Sequence, residues 1–171
     1  MAEELVILER GSKEEQYQAL IPQIAALLEG ESDFVANMAN ITAVLNTQFK
    51  HLWTGFYLVK EGQLVLGPFQ GPIACTRIQK GKGVCGAAWE KAQVQIVPDV
   101  NQFPGHIACS SLSNSEIVLP MIKDGQVIGV LDIDSTHLNT FDEVDAKYLE
   151  QIIELLLDTV PAFVGRVDAN R

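Results

Sequence analysis

The chain has 171 residues, 47% of them hydrophobic, enough for one domain of ordinary size to bury a core without metal or disulfide support. Its 12 Lys and Arg against 22 Asp and Glu leave a formal charge of −10 and a pI near 4.6. This balance excludes nucleic acid and anionic membrane as partners, because a chain so short of cations gains nothing from counterion release.

The N-terminal MAEELVILERGSKEE opens with acids rather than a basic segment and an apolar run. No stretch approaches the roughly 20 apolar residues of a membrane span. A soluble, cytoplasmic protein is expected, in a compartment where thiols stay reduced and a disulfide is usually transient.

Residues 12–29 read as a helix, with Ser12 and Glu15 in capping-box register and Tyr17, Leu20, Ile21, Ile24, Leu27 and Leu28 at helical spacing around Pro22. A second helix is predicted over 32–47, capped by Ser32 or Asp33 and carrying Phe34, Met38, Ile41 and Leu45 on one stripe. From His51 the period changes. Residues 52–60 and 63–69, joined through Glu61-Gly62, predict a β-hairpin. GKGVCGAAWEKA, residues 81–92, reads as a glycine turn entering a short helix, followed by a brief strand in QVQIV. A loop rich in Pro, Gly and Ser runs from Pro98 to Ser115, and ordered loops of that length are disproportionately functional. Residues 116–122 and 126–134 flank Lys123-Asp124-Gly125 as a second hairpin. A last helix covers 141–160, with Thr140 and Glu143 in capping-box register at its start and Pro161 near its end. One α+β domain over 1–171 results: two helices in 12–47, an antiparallel sheet with its loops in 51–135, and a C-terminal helix that shares one face of the sheet with the first two.

Three cysteines, Cys75, Cys85 and Cys109, cannot all pair, so at least one thiol is left for chemistry. The thiolate is the reactive form, so the question is which one is stabilised. Cys85 falls in the first turn of its helix, where unpaired amides favour negative charge, with Lys82 nearby. A small apolar residue packing that helix on the sheet explains it better. Cys109 follows His106 by three residues among Ser110, Ser111 and Ser113, whose hydroxyls and amides suit a nucleophile. A loop cysteine packed beneath the surface fits equally well. Cys75, after GPIA at the end of a short strand, reads alone as core and beside an attacking thiol as a resolving cysteine. Spacings of ten and twenty-four residues, without CxxC or HxxxH, match no compact zinc signature, so no metal is expected.

Asp132 and Asp134 in VIGVLDIDS share a strand face, and Glu116 opens the partner strand. Two acids on an apolar strand cost desolvation unless they meet cations, donors or water. A polar pocket and a solvent-facing strand end both fit. Trp53 and Tyr57, four apart in WTGFY, share a face if no bulge intervenes, as substrate wall or as core. The GKGVCG glycines lack the Walker pattern.

Together, the two leading helices, WTGFY, GKGVCG, IGVLDIDS and NTFDEVD resemble a GAF domain over nearly the whole chain. FPGHIAC followed by SNSEIVLP, with Cys75 and Cys85 upstream, is similar to the free methionine-(R)-sulfoxide reductases, the catalytic branch of that fold. The resemblance implies that Cys109 is the nucleophile, Cys75 its resolving partner and Cys85 an auxiliary thiol. It implies that Glu116, Asp132 and Asp134 surround the bound amino acid while Trp53 and Tyr57 hold its methyl group. It further implies reduction of free L-methionine-(R)-sulfoxide by a homodimer that thioredoxin recycles, with no metal or organic cofactor. Ser110 stands where the family usually has Asp after the nucleophile. The alternative is a non-catalytic ligand-binding or redox-sensing module, which the fold alone admits. NTFDE resembles the NKFDE motif of cyclic-nucleotide-binding GAF domains, but 171 residues leave no room for an output domain.

Overall fold

The structure is a computed structural model that describes residues 4–160. Pro161, expected near the end of the last helix, lies outside the described residues. Helix α1, Lys13–Leu28, begins at the expected capping box: Ser12 Oγ accepts from the Glu15 amide at 3.1 Å, and Glu15 accepts from the Ser12 amide at 3.2 Å. Pro22 lies inside this helix rather than ending it. Helix α2, Phe34–Phe49, is capped by Asp33, which accepts from the Ala36 amide, and ends at Lys50 in the left-handed region.

The strands are β1 Trp53–Lys60, β2 Gln63–Gln70, β3 Arg77–Gln79, β4 Gln95–Val97, β5 Ser115–Lys123 and β6 Gln126–Ser135. They form one antiparallel sheet in the order β3-β2-β1-β6-β5-β4. Both hairpin turns have two residues at positive φ, Glu61-Gly62 and Asp124-Gly125, as the twist of paired strands favours. Helix α3 spans Gly83–Lys91 and helix α4 spans Glu143–Leu157. Asp142 caps α4 in a box with Asp145, two residues beyond the Thr140 and Glu143 register expected for that role. Thr140 instead donates its hydroxyl to Ser135 Oγ.

Strand alternation divides the interior. Phe56, Ile117, Leu119, Met121, Leu131 and Ile133 meet α1, α2 and α4 on one face, the arrangement expected of the N- and C-terminal helices. Each such side chain contributes about 1.5–3 kcal/mol when buried, and no cysteine belongs to this cluster. Trp53, Tyr57, Val118 and Val130 point to the opposite face, where α3 brings Val84, Cys85, Ala88 and Trp89. That second, thinner layer holds the candidate site. Among the described residues no helix is long and apolar enough to cross a membrane.

Candidate active site

Register places the three carboxylates together. Glu116 on β5 pairs with Asp134 on β6, and Asp134 and Asp132 pair across to Trp53 and Gly55 on β1. Trp53 and Tyr57 lie on that same face with ring centroids 5.8 Å apart. The bulge near them does not disturb β1, because the additional residue sits on β2, between Leu66 and Phe69. Gly55 opposite Asp132 is required by space: a Cβ there would come within 2.5 Å of the Trp53 ring. The indole can therefore lie over Gly55, stacked between Tyr57 and Phe69. Trp53 Nε1 donates to the Pro72 carbonyl, and the Tyr57 hydroxyl donates to the Cys75 carbonyl.

The cysteines separate by environment. Cys75 and Cys109 form a disulfide with Cα atoms 5.6 Å apart, bridging the turn after β2 to the long loop before β5. Cys75 lies in that turn rather than at a strand end, since β2 stops at Gln70 and β3 starts only at Arg77. Cys85 is the free thiol, buried at 4% exposure in the first turn of α3. The helix terminus and Lys82 do not activate it. Burial pushes its thiol well up, and the neighbouring carboxylates Asp132, Glu116 and Asp134 push it further. Desolvation and like charge outweigh the local helix field here.

The acids carry the same strain. Burial first, then the charges of Asp132 and Asp134, hold Glu116 well above the usual carboxylate range. Asp134 is raised by burial and by Asp132, against the pull of Ser113, whose Oγ donates to it at 2.9 Å. Burial also raises Asp132, partly offset by hydrogen bonds from Glu116, Cys85 and Asp134. Asp132 Oδ1 is nonetheless one of two buried side-chain polar atoms without a fixed partner among the described residues. The groups around it satisfy it only by lending a proton. Three acids in this state have a strong affinity for a cation. Cys85, Glu116 and Asp132 also offer ligand atoms within 4.8 Å of one another.

These groups line one open cleft, and Cys109 of the disulfide joins its lining. Gly83, Val84 and Cys85 at the start of α3 line it too, and no side chain caps that helix at Lys82. The first amides of a helix lack intrahelical acceptors and favour an anion. The cleft thus combines an acidic wall with an amide-rich end. Two contributors were not assigned these roles from sequence. Ser113, close to Cys109 in sequence, donates its hydroxyl to Asp134 instead. His106 has Nε2 3.9 Å from Glu116 Oε2, with its basicity lowered by burial. Nothing in local spacing signals either contact.

The chain matches the GAF-domain family over residues 30–158. It is 49% identical over 146 residues to the free methionine-R-sulfoxide reductase of Escherichia coli, covering 85% of this chain and 88% of that one. The chain belongs to the free methionine-R-sulfoxide reductase family. Another relative, GAF domain-containing protein A of Dictyostelium discoideum, is 65% identical over 91% of this chain and 99% of its own. The X-ray structure of a family member from Neisseria meningitidis, in complex with its substrate, superposes with a TM-score of 0.90 at 49% identity. It spans 95% of this chain and 99% of that one. A GAF domain from a Coxiella burnetii phosphotransferase, 16% identical with a TM-score of 0.76, shares the fold.

Proposed function

We propose that this protein reduces free L-methionine-(R)-sulfoxide to L-methionine within one domain, with Cys109 as nucleophile and Cys75 as resolving thiol. The observation that carries this reading is the Cys75–Cys109 bridge, whose Cys109 lines a cleft walled by Glu116, Asp132 and Asp134. The Neisseria relative, solved in complex with its substrate, supports the reductase activity.

The cleft suits a free amino acid because it is dipolar. The ammonium is held by the carboxylates, which gain a counter-charge for their buried negative charge. The substrate carboxylate faces the amides of Gly83 to Cys85, with Lys82 beside them. A methionine sulfoxide inside a polypeptide chain has neither charge.

In the reduced enzyme the Cys109 thiolate attacks the sulfoxide sulfur. A protonated member of the acid trio donates to the sulfoxide oxygen, directly or through water. Oxygen transfers to Cys109, giving a sulfenic acid, and methionine leaves with its sulfur reduced by two electrons. Cys75 then attacks the sulfenic sulfur, and its proton leaves with the hydroxyl as water. Thioredoxin supplies two thiols, becomes oxidised and restores both cysteines by exchange. Cys85 stays outside this cycle as a structural thiol. The methyl group rests on Trp53 and Tyr57 while the oxygen faces the acids. The S epimer turns its oxygen toward the apolar wall and loses hydrogen bonding of about 1–3 kcal/mol. A thioredoxin-linked enzyme belongs in a reducing compartment, so we place it in the cytoplasm, as a homodimer like that implied by the family.

Reduced protein incubated with free L-methionine-(R)-sulfoxide, thioredoxin, its reductase and NADPH should consume NADPH with the R epimer and not with the S epimer. Absence of turnover by folded, reduced protein would leave a sensing role in its place. Cys109→Ser should release no methionine even in one turnover. Cys75→Ser should release one equivalent and then recycle poorly. Identical behaviour of the two variants would refute the division of labour.

A further inference from the structure

The geometry points to a second ligand for the floor of the cleft: a borderline-soft divalent cation, Zn²⁺ in the first instance, held by Cys85 and one carboxylate oxygen each of Glu116 and Asp132. The three donor atoms lie within 4.8 Å of one another. All three residues are at least nine-tenths buried, with relative exposures of 4%, 6% and 6%. The independent sign of a ligand is Asp132 Oδ1, a buried acceptor without a fixed partner inside this group. Cys85 is also the one cysteine that the reductase cycle does not use.

The donor set selects the metal. Zinc–sulfur bonds of about 2.3 Å and zinc–oxygen bonds of about 2.0–2.2 Å require donor separations of ~3.4–3.6 Å, so the cluster tightens by at most ~1.4 Å. A thiolate with two oxygens suits Zn²⁺ better than Mg²⁺ or Ca²⁺, which prefer six or more oxygens. The fourth tetrahedral position faces the cleft and takes water. On binding, the Cys85 S–H bond breaks, a Zn–S bond forms and the proton passes to water. No electron moves. Two carboxylates and a thiolate then share a counter-charge in place of mutual repulsion.

Glu116 and Asp132 cannot hold zinc and a substrate ammonium together, so Zn²⁺ inhibits in competition with the amino acid. This competition rests on the reductase reading, whereas the metal site does not. With the Cys75–Cys109 bridge intact, Cys85 is the single remaining thiol, so a thiolate signal has one source.

Titration of the bridged protein with Co²⁺ alone should produce near-ultraviolet sulfur-to-cobalt charge-transfer absorption that saturates at one equivalent, and Zn²⁺ should abolish it. Cys85→Ser should lose the band. Outer-shell partners alone are worth ~10–100-fold in metal affinity, so losing a direct ligand should weaken Zn²⁺ by at least about 100-fold. Cys85→Ala repeats the measurement if the serine variant fails to fold. Glu116→Gln should keep the thiol and still weaken Zn²⁺. Added L-methionine should raise the apparent Kd for Zn²⁺. No band in folded wild-type protein, or an equal band in the Cys85 variants, overturns the site, and indifference to methionine overturns the competition. The band needs no turnover, so its absence from folded wild-type protein that still reduces the sulfoxide refutes the metal site alone. A band in a protein without turnover supports the metal site and refutes the reductase reading.

Discussion

The Tyr57 hydroxyl donates to the Cys75 carbonyl at 2.9 Å, which ties the aromatic wall of the cleft to one half of the disulfide. Burial and the nearby acids push its ionisation up, so it stays a donor across the working pH range. Tyr57→Phe keeps the ring against Trp53 and removes only this bond, worth about 1 kcal/mol or roughly a factor of five. The first-turnover release of methionine should be unchanged within about twofold, while closure of the disulfide and steady-state recycling slow about fivefold. Rapid-quench measurement of methionine against thiol loss separates the steps. Equal slowing of both would put the hydroxyl on the substrate instead.

Asp134→Asn should stabilise the ligand-free protein at neutral pH while depressing activity. The folded-state pKa of Asp134 is raised, so between the usual carboxylate range and that raised value the folded state binds more protons than the unfolded one. Stability is therefore lost as pH rises through this window. Asparagine removes the charge and still accepts from Ser113. Thermal melts should show a higher midpoint for the variant at pH ~7.5, with the gain fading below about pH 4, where the unfolded carboxyl is also protonated. A lower midpoint at neutral pH would mean that the Asp134 charge stabilises the fold.

His51 gives the opposite slope. It lies between Phe49 and Phe141, with ring centroids 5.7 and 5.0 Å away, and burial lowers its pKa from 6.5 to about 4 against a smaller upward pull from Asp145. The unfolded histidine takes a proton first as pH falls. Its contribution to stability is complete above pH 6.5 and is lost as pH falls toward about 4. His51→Phe should flatten the pH dependence of urea-unfolding stability across that interval. An unchanged slope would assign the acid sensitivity to other groups.

Much of this architecture was legible because it is written locally. Ser12 and Glu15, Asp33, Glu61-Gly62 and Asp124-Gly125 act through neighbours a few residues away, and alternation alone put Asp132 and Asp134 on one face. The strand Arg77–Gln79 has no sequence signature, because three residues carry too little periodicity. Cys85 shows why spacing misleads for electrostatics. The helix-end field that favours its thiolate is local, while the burial and the three acids that oppose it arrive through the tertiary fold. The pairing of Cys75 with Cys109, 34 residues apart, came from family resemblance and not from spacing. Ser113 and His106 reach their carboxylates across the fold, which no linear pattern reveals.

Gly83 couples the start of α3 to the loop that carries Cys109. Its φ is +60°, and a Cβ there would stand 3.2 Å from Ile107 Cγ1, two residues before the nucleophile. Gly83→Ala therefore adds two separable penalties, backbone strain of about 1 kcal/mol and a push on Ile107. The strain should lower the midpoint by ~2–4 °C for a chain of this size. The push should raise KM for the sulfoxide, because Ile107 and Gly83 line the same cleft. Adding Ile107→Ala removes the contact but not the positive φ, so the double variant should recover a lower KM than Gly83→Ala while its midpoint stays depressed. If KM fails to recover, relative to Ile107→Ala alone, the loop is positioned by something other than this contact.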